Sequence, residues 1–450
     1  MWQDWMRQVD QLLDDEQLVE LVYEALVRRH PKSRTRGRWG MPAEVVLRML
    51  VLKHLRNWSF GVLEWEVRAN LVYRQFTRIG GDKVPHAKTL GRQALALGPE
   101  VIQKIHRRVV GIARENQIVS GRKLRVDTTV VETNIHYPTD SSLLVDGVRV
   151  LTRVMKRVAE VAGEAGTKLR DRSRSVKLRA LEIARASRSK SQQGQQRMKN
   201  LYGKLLDASG RVAGQAVQFA HEIASGVKRS ADGMKQAALE GMKKELETMA
   251  GRVKQVRRQA RARVFGGNTH VEGKLVSMFE DTTEIIRRGK AKQPTEFGKM
   301  IKVQEAEGQI IVDYEVFAKR PADSDLLAPA IVIHLQRLGR VPDLAAADAA
   351  FYSASGEKAA HEMGVKRVSV PNRSSKSKDR VALQKTRWFK NGQRWRTGCE
   401  GRISVLKRRH GLTRCRYRGD KGMQRWVGLG VISDNLINIG RALAAKSCET

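Results

Sequence analysis

The sequence predicts an α/β fold: a mixed sheet with flanking helices, preceded by an N-terminal all-helical domain and interrupted after its first strand by a long helical insertion. Three observations lead there. Apolar residues recur at helical spacing over the first 120 positions. A β-branched run at 123–134 is followed by a long basic stretch with helical patterning. Beyond it, hairpin-like strands give way to helix, strand, helix, strand and helix, the order of a sheet with helices on its faces. The boundaries drawn are 1–120 for the helical domain, 121–146 for the start of the sheet domain, 147–265 for the insertion and 266–450 for the rest of the sheet domain.

Residues 1–30 carry Leu12, Leu13, Leu18, Leu21 and Val22 at helical spacing. Residues 31–40 read as a basic turn region. Pro42 starts a helix with Val45, Val46, Met49, Leu50 and Leu52 on its apolar side, since proline suits a first helical turn. A helix from about Ser59 carries Leu63, Val67, Leu71 and Phe76. The break at 80–85 leads into a further helical run, 88–116, rich in Arg and Lys. Short helices with basic faces, joined by Gly or Pro turns, fit a DNA-binding helical domain. A packing domain with a solvated face fits the same pattern.

Residues 123–134, KLRVDTTVVETN, form a strand by their β-branched content. Asp127 falls in a run (Leu124, Val126, Val130) that reads as buried. A carboxylate there is costly without a partner, and a metal ion is a natural one; an exposed sheet face is the plainer alternative. Asp140 and Asp146 read as caps. From 147 to 262 there are about 27 Lys and Arg against about 10 Asp and Glu. Apolar spacing there predicts three or four long helices, with Gly203, Gly210, Gly214 and Gly226 weakening continuity. Such a bundle suits gripping DNA backbone; a solvated bundle or dimerisation arm is the alternative.

Past 266–268, residues 275–279 are a candidate short strand. Residues 299–305 and 309–317 alternate about the turn 306–308, as in a β-hairpin. Ser324 is expected to cap a helix ended by Gly339. Residues 343–347 form a short strand ending at Asp348. Ser355 is expected to cap the next helix, to Met363, and 365–370 form another strand. Residues 371–392 are polar and basic and read as a mobile loop. The helix bearing Glu400 follows, then a last apolar helix over 427–443.

The chain has 450 residues and a formal net charge of +38. That charge calls for a polyanionic partner, most simply nucleic acid. No stretch approaches the roughly 20 apolar residues that span a bilayer, and the N-terminus lacks a signal-peptide pattern. The three cysteines (Cys399, Cys415, Cys448) form no CxxC pair, so free thiols in a reducing cytoplasm and no zinc site are expected.

Between 393 and 419 Glu400 stands alone as a carboxylate among many cations. Arg396 lies four residues before it and Lys407 seven after, so the three share one helical face, with Cys399, Ile403 and Leu406 as an apolar stripe beside it. In the expected sheet, the strands bearing Asp127 and Asp348 can be neighbours, with the Glu400 helix crossing beside them. Three converging carboxylates suit hard divalent ions, and two such ions about 4 Å apart suit phosphodiester chemistry. Glu132 reads as a surface residue. His136 and His410 have no second ligand at suitable spacing. Arg414, Arg416 and Arg418 alternate around Cys415 and Tyr417, placing all three on one face of an extended segment, where they can meet phosphates. Trp388 and Trp395 can stack on unpaired bases or pack in the core.

Five stretches resemble the DDE transposases of bacterial insertion sequences, in particular the ISNCY-type group. MPAEVVLRMLVLKHLRNWSFGVLEWEV is similar to that group's N-terminal helical domain. VDTTVVETNIHYPTDSSLL resembles the first-Asp block, and RRGKAKQPTEFGKMIKVQEAEGQIIVDYEV the segment before the second Asp. AADAAFYS resembles the second-Asp block. RTGCEGRISVLKRRHGL resembles the Glu block, in which an arginine, three residues, a glutamate, six residues and a lysine follow each other. The resemblance implies a ribonuclease H-like catalytic domain with Asp127, Asp348 and Glu400 as catalytic metal ligands for two Mg2+ ions, with Mn2+ as a substitute. It implies that Arg396 and Lys407 contact transposon-end DNA; Arg408, Arg409, Arg414, Arg416 and Arg418 are the further DNA contacts expected from the residues themselves. The family often has Tyr three residues before the arginine; here Gln393 stands there. The implied partner is double-stranded DNA, as element terminal inverted repeats and as target, met by a homodimer or larger synaptic complex. The implied location is the bacterial cytoplasm, at the nucleoid. The competing expectations are a catalytically inactive DNA-binding relative and a nuclease of the same fold that cuts without joining.

Overall fold

The computed structural model describes residues 3–29, 40–163, 165–189, 191–287 and 294–449. The turn region expected from position 31 lies outside them as far as 39. The chain divides into two compact units, Met1–Asn134 with Ile286–Thr450, and Ile135–Ile285. The inserted unit therefore has wider bounds than the 147–265 read from composition. The N-terminal helices belong to the same compact unit as the sheet.

In the first unit, α1 (Asp4–Leu12) and α2 (Glu16–Arg29) are separate helices. Asp15 divides them, its side chain accepting from Leu18 N at 3.0 Å. Pro42 is the N-cap of α3 (Ala43–Leu55). The helix expected from Ser59 is two: Ser59 caps α4 (Phe60–Ala69), and Asn70 ends it and caps α5 (Leu71–Phe76). The run at 88–116 likewise splits into α6 (Ala87–Ala96) and α7 (Pro99–Glu115), the second opened by proline. These helices bury Val46, Leu50, Leu63, Phe76 and Val109 in one core that also takes in Leu429, Ile432, Leu436 and Ile437 of the C-terminal helix. That shared core is why they do not stand apart from the sheet.

Strand β1 (Lys123–Glu132) follows. The inserted unit then comprises, among the described residues, α8 (Asp140–Ala162), α9 (Ser173–Ala186), α10 (Gln192–Ala224) and α11 (Gly233–Gly266). Thr139, not Asp140, caps α8. Leu151, Val154, Leu205, Val212, Phe219, Leu246 and Val253 form their common core. α10 runs unbroken through Gly203, Gly210 and Gly214. The strand expected at 275–279 is irregular chain instead. Its backbone is satisfied by a side chain: Gln259 accepts from Leu275 N at 3.0 Å and donates to Leu275 O at 2.9 Å.

The rest of the first unit holds β2 (Glu284–Arg287), β3 (Thr295–Glu305), β4 (Ile311–Val316), α12 (Leu327–Leu338), β5 (Leu344–Ala346), α13 (Ala354–Glu362), β6 (Arg367–Ser369), α14 (Lys378–Lys385), α15 (Arg387–Arg409) and α16 (Gly419–Glu449). The sheet is mixed, in the order β2-β3-β1-β5-β6, with β4 also paired to β3. β3 runs antiparallel to β1 and β4, whereas β5 is parallel to β1 and to β6. The expected hairpin is β3–β4. Gly339 ends α12 in a left-handed conformation, as expected, but a short 3-10 turn at Asp323–Asp325 precedes the helix, so Ser324 is not its cap. Ser353, rather than Ser355, caps α13, accepting from Gly356 N at 3.1 Å. The segment expected to be a loop, 371–392, contains α14 and the first turns of α15. The last helix starts at Gly419, ahead of its apolar run.

Side chains of β1 alternate between two cores, as strand geometry requires. Leu124, Val126 and Val130 pack with Leu327 and Ile331 of α12 and Ala360 of α13. Val131, on the opposite face, packs with Ile403 and Leu406 of α15 and Trp426 and Val427 of α16. Arg125 and Asp127 also point to that second face.

Candidate active site

The first two carboxylates follow neighbouring strands. β1 and β5 are parallel, pairing Lys123 with Leu344, Leu124 with Ala345 and Arg125 with Ala346. Two residues further on along each strand stand Asp127 and Asp348. Asp127 is 8% exposed and its Oδ1 accepts from Thr128 N at 2.7 Å. Asp348 leaves the strand as the cap of a short turn, Oδ1 accepting from Ala350 N at 3.0 Å. Asp323 accepts from Thr128 Oγ1 at 3.1 Å, on the other face of β1.

α15 brings the third carboxylate. Its apolar stripe is as expected: Cys399, Ile403 and Leu406 are buried. Polar anchors fix its position over the sheet. Arg125 donates to Trp395 O at 2.5 Å and stacks over the Trp395 ring, 4.8 Å from its centre. Gly398 makes this approach possible, because a Cβ there would collide with the Arg125 guanidinium. Gln393 donates to Ala347 O at 3.2 Å and to Ser369 O and Oγ, tying the helix to the ends of β5 and β6. This side chain thus ties α15 to the residue before Asp348.

Arg396, one turn after Gln393, joins the carboxylates. Its Nη2 donates to Glu400 Oε1 at 2.8 Å and its Nη1 lies 3.9 Å from Asp127 Oδ2. Its Nε is buried and has no hydrogen-bond partner among the described residues. Glu400 is exposed, with 56% of its side chain accessible, while the Arg396 side chain is only 15% accessible. Among the described residues no three His, Cys, Asp or Glu side chains form a group that could hold a metal ion. The Arg396 guanidinium reaches both Asp127 and Glu400. The donor set itself, three carboxylates and no sulfur or imidazole, is the chemistry that hard divalent ions take.

A chain of buried charges lies behind the site. Arg125 makes a two-armed pair with Glu305, at 2.9 and 2.6 Å. Arg402 reaches the same carboxylate at 3.5 Å, pairs with Asp434 of α16 at 3.0 Å and donates to Gln309. His410 lies 3.4 Å from Asp434. Burial pushes the Glu305 carboxyl up, against the pull of Arg125 and Arg402. Burial also raises the Cys399 thiol well above its ordinary value, with the Glu305 and Asp127 charges adding to the effect, so this cysteine is a packing residue. Cys399 and Cys415 are both buried.

A cleft of about 660 Å³ adjoins Arg396, lined by Arg373, Lys390, Gln393, Arg394 and Thr397 among others. Arg373, Lys390 and Arg394 escaped the sequence reading, and basic residues on a stretch taken for a loop carried no signal of a shared wall. Of the expected DNA contacts, Arg414 pairs with Glu132 at 3.0 Å, and Arg416 donates to Asn57 O at 3.1 Å. Arg408 donates back to Ser404 O at 3.4 Å. Arg414, Arg416 and Arg418 are all exposed and alternate with buried Cys415 and half-buried Tyr417. Trp395 packs against Arg125, and the Trp388 ring lies 5.8 Å from the Arg367 guanidinium. No helix among the described residues is long and apolar enough to cross a membrane.

Two family models match parts of this chain. The model described as Transposase domain (DUF772) matches residues 3–93, the helical N-terminal part, and the model described as Transposase DDE domain matches residues 357–439, from α13 into α16. These matches support a DDE transposase of insertion-sequence type. Glu400 lies inside the second match, while Asp127 and Asp348 lie outside both. Searches of curated proteins and of solved structures found no match.

Proposed function

We propose that this transposase cuts DNA at the ends of an insertion sequence and joins the freed 3′-hydroxyl to target DNA, using Asp127, Asp348 and Glu400 on a ribonuclease H-like core. The sheet supports the core assignment: three antiparallel strands, then two parallel ones reached through helices. The observation that carries the proposal is the parallel pairing of β1 and β5, whose register ends two residues before Asp127 and Asp348, together with the Arg396 link from Asp127 to Glu400.

Asp127, Asp348 and Glu400 are the residues that would hold Mg2+ or Mn2+, which when bound supply Lewis-acid stabilisation of charge at the scissile phosphate. The chain's own contribution is positioning. Gln393 and Arg125 fix the height of α15 over the strand ends. Arg396, with a buried Nε lacking an acceptor, offers a planar guanidinium to a phosphate of the strand being cut. As Arg396 turns toward that phosphate, Glu400 loses its ion pair and becomes available to the site. Lys407, Arg408, Arg409, Arg414, Arg416 and Arg418 extend the cationic track that holds the backbone.

The test incubates purified protein with labelled element-end DNA and magnesium, beside an Asp348→Asn variant. The wild type is expected to give cut ends and joined product, and the variant about a thousandfold less of both, since loss of a metal ligand removes several kcal/mol of transition-state stabilisation. DNA binding should survive in the variant. Equal product from both proteins would remove Asp348 from the mechanism. Cut ends without joined product would identify a nuclease, and binding without cutting an inactive relative.

A further inference from the structure

We infer that the inserted unit carries its own DNA-backbone contact on the C-terminal half of α11, with Lys254, Arg258 and Arg261 as the phosphate-binding side chains. Residues 252–263 of this helix hold the cations Arg252, Lys254, Arg257, Arg258, Arg261 and Arg263 and no carboxylate. Cations are favoured near a helix C-terminus, but like charges at i,i+4 repel. Three of the six are accounted for by the bundle. Arg252 donates to Met278 O at 2.6 Å and pairs with Asp281. Arg257 lies across Gly210, where a Cβ would meet its guanidinium, and donates to Leu206 O at 3.0 Å. Arg263 pairs with Asp140 at 2.7 Å and donates to Tyr202 Oη at 2.9 Å.

The other three differ. Lys254, Arg258 and Arg261 are exposed, and among the described residues none makes a hydrogen bond or ion pair. They share the wall of a concavity of about 810 Å³ with Gly251, Gln255 and Ala262, and no carboxylate lines it. The N-terminal half of the same helix shows what a merely solvated face looks like: Glu240, Glu245 and Glu247 intermix with Lys243 and Lys244, and Lys243 lies 3.3 Å from Glu240. Spacings of four and three residues keep Lys254, Arg258 and Arg261 on one face and spread them over about 10.5 Å of helix axis. Phosphates of one DNA strand advance about 3.4 Å each, so this row spans about three of them. Small residues at 251 and 262 leave room for a backbone to approach.

This surface concerns binding alone. It rests on DNA as the partner and not on the carboxylate chemistry, so it is measured without divalent ions. The full chain carrying Lys254→Ala, Arg258→Ala and Arg261→Ala is titrated against a labelled duplex at several salt concentrations, with thermal melts confirming that it folds. Three lost phosphate contacts should flatten the plot of log affinity against log salt by about 2.7, so that from about 50 to 200 mM the wild type loses about fortyfold more affinity than the variant. Arg258→Ala alone should flatten it by about 0.9. The control removes the same charge from α9 and the turn that follows it, with Lys177→Ala, Arg185→Ala and Arg188→Ala, and should leave the slope nearly unchanged. An unchanged slope in the α11 variant, or equal flattening in the α9 control, would overturn the assignment.

Discussion

The two faces of β1 bury their residues by opposite means. On one, Leu124, Val126 and Val130 meet hydrocarbon from α12 and α13. On the other, Arg125 and Asp127 meet α15, and a run of charges continues inward through Glu305, Arg402 and Asp434. Apolar burial stabilises by roughly 25 cal/mol per Å² and needs no exact partner. Buried charges stabilise little in net terms, yet become costly when one member is lost. The charged face therefore contributes placement more than stability. It sets where α15, and hence Arg396 and Glu400, sit relative to the ends of β1 and β5.

The contrast can be broken most sharply at Arg402. Arg402→Leu leaves Asp434 without its buried guanidinium and Glu305 with Arg125 alone, and is expected to cost about 3–5 kcal/mol, measured by denaturant unfolding. Activity per folded molecule should fall too, because α15 loses its tie to α16. Leu124→Ala, on the apolar face, should cost about 2–5 kcal/mol through its cavity, while activity per folded molecule stays near wild type. Equal loss of specific activity in both variants would erase the functional difference between the faces.

A smaller effect is expected at Lys53, a buried cation with rings instead of a carboxylate. Its ammonium lies 4.9 Å from the Phe60 ring centre, 5.2 Å from Tyr417 and 4.9 Å from Trp426. Burial above all, with the Arg416 charge adding, lowers its pKa to about 7. An unfolded lysine titrates near 10.4, so between about 7 and 10 the unfolded chain binds a proton that the folded chain lacks. Stability should therefore rise with pH across that window, by up to about 1.4 kcal/mol per unit, and be level below it. Lys53→Met should flatten the rise, read from unfolding midpoints at pH 7 and pH 9. An identical pH slope in both proteins would show that the rings keep the lysine charged.

The apolar face was legible in the sequence, and the charged face only in part. β-Branched content announced β1, alternation the β3–β4 hairpin, and the Cys399, Ile403 and Leu406 stripe the middle of α15. The start of α15 and all of α14 were hidden because their inward contacts are polar. Gln393 bonds to strand-end carbonyls, and Arg380 pairs with Glu357 and donates to Val370 O. A helix held that way shows no apolar period. Residues 275–279 misled in the converse way, since their apolar side chains sit in chain whose hydrogen bonds go to Gln259. Asp127, Asp348 and Glu400 could be named as candidates from sequence. The pairing of β1 with β5 and the arginine that reaches from Asp127 to Glu400 belong to the fold.

Cleavage by iron-generated hydroxyl radicals measures the central claim most directly. Ferrous ion bound in place of magnesium, with ascorbate, cuts backbone close to its ligands, and the fragments can be mapped by mass spectrometry. The account predicts cuts clustered near 127, 348 and 400, competed away by magnesium and weakened together by Asp348→Asn. Cuts near only one of these positions, or elsewhere in the chain, would contradict it.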